Sequence, residues 1–269
     1  MMSLSDLKKF KAEGRKFSCL TCYDASMAKA MQLAEVDSIL IGDSLGMCIQ
    51  GRDSTLPVTV ADMAYHTVAV RRGNSHAFIM TDLPFMSYAT VQDALANSRT
   101  VMQAGAQMVK MEGGAWLSES IETLTRNGIP VCVHLGLTPQ SVHVFGGYKL
   151  QARTREAADQ LIADCRAVVE AGAALLLLEC VPAQLGQEIT ELFPHTPVIG
   201  IGAGSHTDGQ VLVVQDMLGL TFGHVAKFVR NFMKEQSGET AIVDAFKAYH
   251  AAVLDGSFPA KEHTFQVEL

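Results

Sequence analysis

The sequence predicts an α/β protein of the (β/α)8 barrel class, the TIM barrel. Three observations carry that expectation. Eight short apolar runs alternate with segments of helical periodicity, the pattern of a parallel sheet covered on both faces. The chain has 269 residues, and eight strand–helix units suit that barrel at this length. Acids or a histidine close several of the runs, and the carboxyl ends of barrel strands meet at one mouth. A doubly wound open sheet is the alternative. It calls for a G-x-G-x-x-G fingerprint after the first strand, and Asp24-Ala25-Ser26 has none. Gly200-Ile201-Gly202-Ala203-Gly204 has a different spacing and comes late in the chain.

The elements follow in order. Residues 3–12 read as a helix with Leu4, Leu7 and Phe10 on one face. Strand one is 17–23, ending at Asp24, and a helix over 26–34 follows. Strand two is 38–42, then a long loop over 45–59 and a helix over 60–72. Strand three is 76–81, stopped by Asp82 and Pro84, and the helix over 91–104 closes at Gly105. Strand four is 107–112 and its helix 118–127. Strand five is 130–133, ending at His134, with a second long loop over 135–153 and a helix over 155–171. Strand six is 173–178, ending at Glu179, followed by a helix over 183–192. Strands seven and eight, 197–201 and 211–214, lie too close for a full helix between them. Helical patterns at 225–235 and 241–254 close the chain. A single domain over 1–269 is expected, with an N-terminal helix at 1–14, the barrel at 17–254 and a tail at 255–269.

Composition excludes some functions. A net charge of −7 argues against a nucleic-acid footprint or an anionic-membrane surface. No run of about 18 apolar residues predicts a membrane span. The first residues mix Asp6 and Glu13 with Lys8, Lys9 and Lys11, without the apolar stretch of a signal peptide. Six cysteines in a chain this long read as reduced thiols, so a cytoplasmic protein is expected. Cys19 and Cys22 have C-x-x-C spacing but lie in a strand, whereas a redox pair belongs at a helix N-terminus.

The chemistry concentrates at strand ends. In Val109-Lys110-Met111-Glu112-Gly113-Gly114, Lys110 and Glu112 share one face of strand four. A buried ion pair seldom gains stability over apolar packing, so two charges aimed inward point to a ligand or a metal. The two glycines let the backbone turn and let a small molecule come close. Asp43, Asp82, Glu112 and Glu179 close four different strands. Ile39, Ile41 and Asp43 are expected on one face, as are Met80 and Asp82, Cys132 and His134, and Leu175, Leu177 and Glu179. One such acid usually caps a helix; four converging on one mouth call for a cation among them. Magnesium takes oxygen ligands and typically one or two carboxylates directly. Asp43 and Asp82 are the candidate direct ligands, with Glu112 reaching the ion directly or through water. Lys110 suits a substrate carboxylate or keto oxygen, and Glu179 suits a general base. Together they suggest metal-assisted enolate chemistry on a small 2-oxo acid, with the electrophile left open.

At Ile41-Gly42-Asp43-Ser44-Leu45-Gly46-Met47 the chain resembles the ketopantoate hydroxymethyltransferase (3-methyl-2-oxobutanoate hydroxymethyltransferase) family. The likeness continues through Asp53-Ser54-Thr55-Leu56-Pro57-Val58-Thr59, Asp82-Leu83-Pro84-Phe85-Met86 and Val109–Gly114. His134-Leu135-Gly136-Leu137-Thr138-Pro139-Gln140 and Leu178-Glu179-Cys180-Val181-Pro182 extend it. The resemblance implies a (β/α)8 barrel that transfers a hydroxymethyl group from 5,10-methylenetetrahydrofolate to 3-methyl-2-oxobutanoate, in pantothenate synthesis. It implies Mg2+ at Asp43, Asp82 and Glu112, oxo-acid binding at Asp43, Ser44, Asp82 and Lys110, and Glu179 as base. It also implies a cytoplasmic homodecamer of two pentameric rings, with small-molecule substrates and neither nucleic-acid nor membrane partners. His134 either hydrogen-bonds the substrate or holds the loop after strand five. Two other readings stay open. One is a Mg2+-dependent carbon–carbon lyase or mutase of the phosphoenolpyruvate mutase and isocitrate lyase kind, although Cys48 lacks the context of a lyase cysteine. The other is a non-enzymatic ring-forming barrel, which would not need Lys110, Glu112 and Glu179 at one mouth.

Overall fold

A computed structural model describes residues 1–267. Eight parallel strands close on themselves in chain order: β1 (Phe17–Thr21), β2 (Ser38–Ile41), β3 (Phe78–Asp82), β4 (Met108–Glu112), β5 (Val131–Gly136), β6 (Leu175–Glu179), β7 (Val198–Ile201) and β8 (Gly209–Leu212). β8 returns to β1, with Val211 opposite Cys19. The barrel leaves no strand edge for water, so the charges of β4 do not lie on a solvated edge.

The strands are apolar throughout because both their faces are buried. Phe17, Leu40, Met80, Met108, Cys132 and Leu177 belong to a core inside the barrel. The alternate residues, such as Ile39, Ile79, Val109, Val133 and Leu176, pack under the helices. Those helices are α1 (Leu4–Ala12), α2 (Ala25–Leu33), α3 (Leu45–Cys48), α4 (Val60–Gly73), α5 (Val91–Gln103), α6 (Ser118–Arg126), α7 (Val142–Phe145), α8 (Arg155–Glu170), α9 (Ala183–Leu192), α10 (Val214–Met217) and α11 (Ala241–Leu254). Side-chain caps begin many of them. Ser3 with Asp6, and Thr59 with Asp62, form capping boxes. Asp24 accepts from the N–H groups of Ser26 and Met27.

Two helices finish the barrel. α1 plugs its amino-terminal end, with Leu7 fully buried and Leu4 and Phe10 packed on the same inner core. α11 covers the seam between last and first strands. Its buried Tyr249 hydroxyl lies 2.9 Å from the Cys19 carbonyl and 2.8 Å from the Gln210 carbonyl.

The structure corrects several local expectations. β8 begins and ends two residues earlier than its apolar run, and Val214–Met217 is a helical turn. The apolar spacing over 225–235 does not become a helix; only Met233–Glu235 winds, as a short 3-10 turn. Both long loops contain single helical turns, α3 and α7. The link between β7 and β8 has no helix, as its length implied. Cys19 and Cys22 are free and buried, and burial pushes both thiols up to about 12, which suits packing rather than redox chemistry.

Candidate functional site

Five predicted residues meet inside the carboxyl-terminal mouth: Asp43, Asp82, Lys110, Glu112 and His134, each 3–4 % exposed. Glu179 joins them from the rim, its side chain 14 % exposed. None of the four acids caps the helix after its own strand: Ser44, Thr90, Leu117 and Pro182 hold or precede those positions. Asp24, at the end of β1, does cap its helix and stays outside the cluster.

β4 delivers Lys110 and Glu112 to one face by strand alternation. Met108 lies beside them in the inner core, while Val109 and Met111 lie in the outer one. Asp82 and His134 arrive on the same phase as Met80 and Cys132. Asp43 does not. Ile39 and Ile41 pack outward and Leu40 inward, so the expected face of Asp43 is corrected. β2 ends at Ile41, and the chain turns at Gly42 before alternation could carry Asp43 outward. A side chain at Gly42 would meet Ser44 Oγ at 2.7 Å, so a larger residue there would have to displace that hydroxyl. The turn brings the Asp43 N–H to Asp82 Oδ2 at 3.1 Å. Ser44 Oγ lies 2.8 Å from the Tyr23 hydroxyl.

Lys110 Nζ sits at the centre. It lies 3.2 Å from Asp82 Oδ1, 3.8 Å from Glu112 Oε1 and 3.0 Å from His134 Nδ1. His134 spans the mouth: Nδ1 is 3.3 Å from Glu112 Oε1, and Nε2 is 3.2 Å from Glu179 Oε2. That last contact is off the line of a hydrogen bond, so the Nε2 atom has proximity without a formed bond. Asp82 Oδ1 likewise has its ion pair but no hydrogen bond.

One lysine shares three buried carboxylates. Asp43 is held well above the usual carboxylate range by burial, then by repulsion from Asp82 and Glu112. Asp82 is raised by burial despite Lys110. For Glu112, burial opposes ionisation, but His134, Lys110 and the Gln140 N–H outweigh it and hold the group below its ordinary value. Burial opposes the charge of Lys110, and the surrounding acids more than offset it, so the ammonium is held charged. The carboxylates outnumber the one lysine among them and offer hard oxygen donors, a set that would suit a magnesium ion. Among the described residues no three His, Cys, Asp or Glu side chains form a ready-made metal cage.

The glycines after Glu112 lie close against neighbouring side chains. A side chain on Gly113 would meet the Trp116 ring at 2.7 Å, and one on Gly114 the Asp164 carboxylate at 2.6 Å. Directly after Glu179, Cys180 adopts φ +47°, a costly conformation for a residue with a side chain.

Sequence reasoning gave no role to Gln140, Tyr88 or Tyr148. Gln140 hydrogen-bonds to the Asp43 and Glu112 carboxylates, and Tyr88 to Gln140 and the Glu112 main chain. The Tyr148 hydroxyl lies 3.5 Å from Met47 Sδ, and the phenol is raised by burial, then by the charges of Glu179, Asp43 and Glu112. Gln140 lies inside the His134–Gln140 motif, which was the available signal for it. The two tyrosines have no motif or spacing that marks them.

Comparison with known proteins completes the picture. The family model described as ketopantoate hydroxymethyltransferase matches residues 1–261. A 3-methyl-2-oxobutanoate hydroxymethyltransferase of Acinetobacter baumannii (strain SDF) is 87% identical over 269 residues, covering 100% of both chains. One from Psychrobacter sp. (strain PRwf-1) is 61% identical, covering 98% of this chain and 100% of its own. Among solved structures, a phosphonopyruvate hydrolase in complex with oxalate and Mg++ aligns with TM-score 0.63 and 12% identity, over 82% of this chain and 84% of its own. A 2,3-dimethylmalate lyase of the PEP mutase/isocitrate lyase superfamily aligns with TM-score 0.59 and 14% identity, over 79% and 81%. At such identities these two share the fold. The family match and the full-length relatives reach further: the chain is an enzyme that belongs to the ketopantoate hydroxymethyltransferase family.

Proposed function

We propose that this enzyme transfers a hydroxymethyl group from 5,10-methylenetetrahydrofolate to 3-methyl-2-oxobutanoate, giving 2-dehydropantoate for pantothenate synthesis. The observation that carries the reading is one continuous cluster: Asp82, Lys110, Glu112 and His134 in contact, with Glu179 3.2 Å beyond the imidazole. The names of the full-length relatives support the substrate class. The all-oxygen donor set supports magnesium, as does the fold neighbour solved with oxalate and Mg++. Asp43 and Asp82 would hold the ion, with Glu112 beside them directly or through water. When bound, it supplies Lewis acidity to the 2-oxo group.

The chain's own residues do the rest. Asp43, Ser44, Asp82 and Lys110 bind and orient the oxo acid, and the Lys110 ammonium faces its developing oxyanion. Glu179 takes the C3 proton. The electron pair of that C–H bond becomes the enolate, whose C3 attacks the folate-borne one-carbon unit and forms the new C–C bond. One folate C–N bond breaks as the C–C bond forms, its nitrogen taking the proton abstracted by Glu179. Water then displaces the second folate nitrogen from the transferred carbon, supplying the hydroxyl to carbon and a proton to nitrogen, and tetrahydrofolate leaves. His134 lies between Lys110 and Glu179, one ring nitrogen toward each. We also propose a cytoplasmic homodecamer, checked by native mass measurement of the purified protein; a monomer would overturn that assembly.

The test separates base chemistry from the folate step. The protein is incubated with Mg2+ and 3-methyl-2-oxobutanoate in deuterium oxide, without folate, and the C3 proton is followed by NMR. Exchange is expected to need Mg2+ and to vanish in Glu179→Gln. A wild-type enzyme that leaves the C3 proton in place would remove Glu179 from the role of base.

A further inference from the structure

Gln140 makes more contacts with the acid cluster than any function so far given to it requires. It sits in the 3-10 turn Pro139–Ser141 after β5 and is 7% exposed. Its main-chain N–H donates to Glu112 Oε2 at 2.9 Å. Its side-chain Nε2 donates to Asp43 Oδ2 at 2.8 Å and to the Leu83 carbonyl at 3.0 Å, next to Asp82. One residue therefore ties together the ends of β2, β3 and β4, the three strands that bring Asp43, Asp82 and Glu112 to the mouth.

The amide has one sensible orientation. Its two N–H groups face a carboxylate and a carbonyl, and both of these only accept. Its Oε1 accepts from the Tyr88 hydroxyl, which in turn accepts from the Glu112 N–H at 3.2 Å. A flipped amide would set oxygen against two acceptors. Tyr88 thus locks Gln140, and Gln140 locks the acids. The bonds occupy one oxygen of each carboxylate, Oδ2 of Asp43 and Oε2 of Glu112, and fix the direction of the other.

The neutrality of the amide matters as much as its reach. Lys110 neutralises part of the charge it touches. Gln140 orients Asp43 and Glu112 without adding positive charge, so their negative potential stays available to a cation. We propose that Gln140, anchored by Tyr88, is a positioning residue that sets the orientation of Asp43 and Glu112 for a divalent cation. This rests on the magnesium reading above.

The test is calorimetric titration of MgCl2 into the full chain, with and without 3-methyl-2-oxobutanoate. Wild type is compared with Gln140→Met, which keeps the volume and the main-chain N–H to Glu112 but removes the side-chain amide that holds Asp43. Mg2+ affinity should fall by about 10–100-fold, the usual effect of losing a residue that orients a metal ligand. The variant should remain folded in metal-free buffer, with a thermal midpoint lowered by the buried acceptors left unpaired. Activity should return at saturating Mg2+, because the ligands themselves are intact. Tyr88→Phe should shift affinity in the same direction by less. A folded Gln140→Met with wild-type Mg2+ affinity would overturn the proposal. Should that variant fail to fold, Gln140→Asn carries the same decision, since it keeps an amide but sets it back by one methylene. Wild type that binds no Mg2+ in either condition overturns the magnesium reading and this inference together. Loss of C3 exchange alone would strike only the assignment of Glu179.

Discussion

The two ends of this barrel handle charge in opposite ways. At the amino-terminal end each acid has its own cation and its own N–H. Asp208 pairs with Lys11 at 2.8 Å and accepts from the Val198 N–H at 2.7 Å. Asp37 pairs with Arg15 at 2.9 Å and accepts from the Ser18 N–H at 2.9 Å. Above them α1 fills the opening with Leu7. At the carboxyl-terminal mouth Asp43, Asp82 and Glu112 share Lys110. The closed end is satisfied and serves stability. The mouth is left short of positive charge, an arrangement that costs stability until a ligand arrives.

That contrast can be broken experimentally at several strengths. The largest effect should come from Glu179→Gln at the mouth. Steady-state assays should show turnover reduced about 10²–10⁴-fold, with an unchanged thermal midpoint. Near-wild-type turnover would place the base elsewhere. Next is Leu7→Ala at the plugged end, which should cost about 2–5 kcal/mol in denaturant unfolding. Turnover per folded molecule should not change. A drop in turnover without a loss of stability would join the two ends functionally and defeat the comparison.

Smaller effects test the sign of the electrostatics. Asp43 has a folded-state value above its ordinary 3.8, so the folded protein holds that proton more tightly than the unfolded chain. Its contribution to stability therefore falls as pH rises from 3.8 through the raised value. In metal-free buffer Asp43→Asn should raise the thermal midpoint at pH 8, and the gain should shrink as pH is lowered. A lowered midpoint at pH 8 would mean that the mouth is not short of positive charge.

The closed end should respond the other way. His250 lies 2.8 Å from Ser18 Oγ and 3.6 Å from Asp37. Burial first, then Arg15, holds it below its ordinary 6.5 against the pull of Asp37. The unfolded chain takes up that proton first, so the stability it contributes is present above 6.5 and lost as pH falls below it. Replacing it in His250→Gln should flatten the acid limb of a midpoint-against-pH curve. An identical acid limb would show that the closed end is not limited by this histidine.

Much of this was legible in the chain itself. Parallel strands buried on both faces must be apolar, so their runs stand out, and side-chain caps such as Ser3 and Thr59 mark helix starts through local bonds. The acids at strand ends were visible for the same reason: a charge that closes an apolar run is conspicuous. The helical spacing over 225–235 misled, because periodicity records only which residues could share a face. The structure leaves that stretch as irregular chain with one 3-10 turn.

The sequence by itself determined the barrel class, most of its elements and the residue types gathered for chemistry, because these follow from local periodicity and from apolar runs. Tertiary structure alone decided how they meet. The inward turn of Asp43 comes after β2 has ended, where strand alternation no longer applies. The clasp of Gln140 on Asp43 spans 97 positions of chain. The closing of one end and the charge deficit at the other arise only when α1 and eight strand ends share one space. Distances set by closure of a barrel have no period, so no local pattern can encode them.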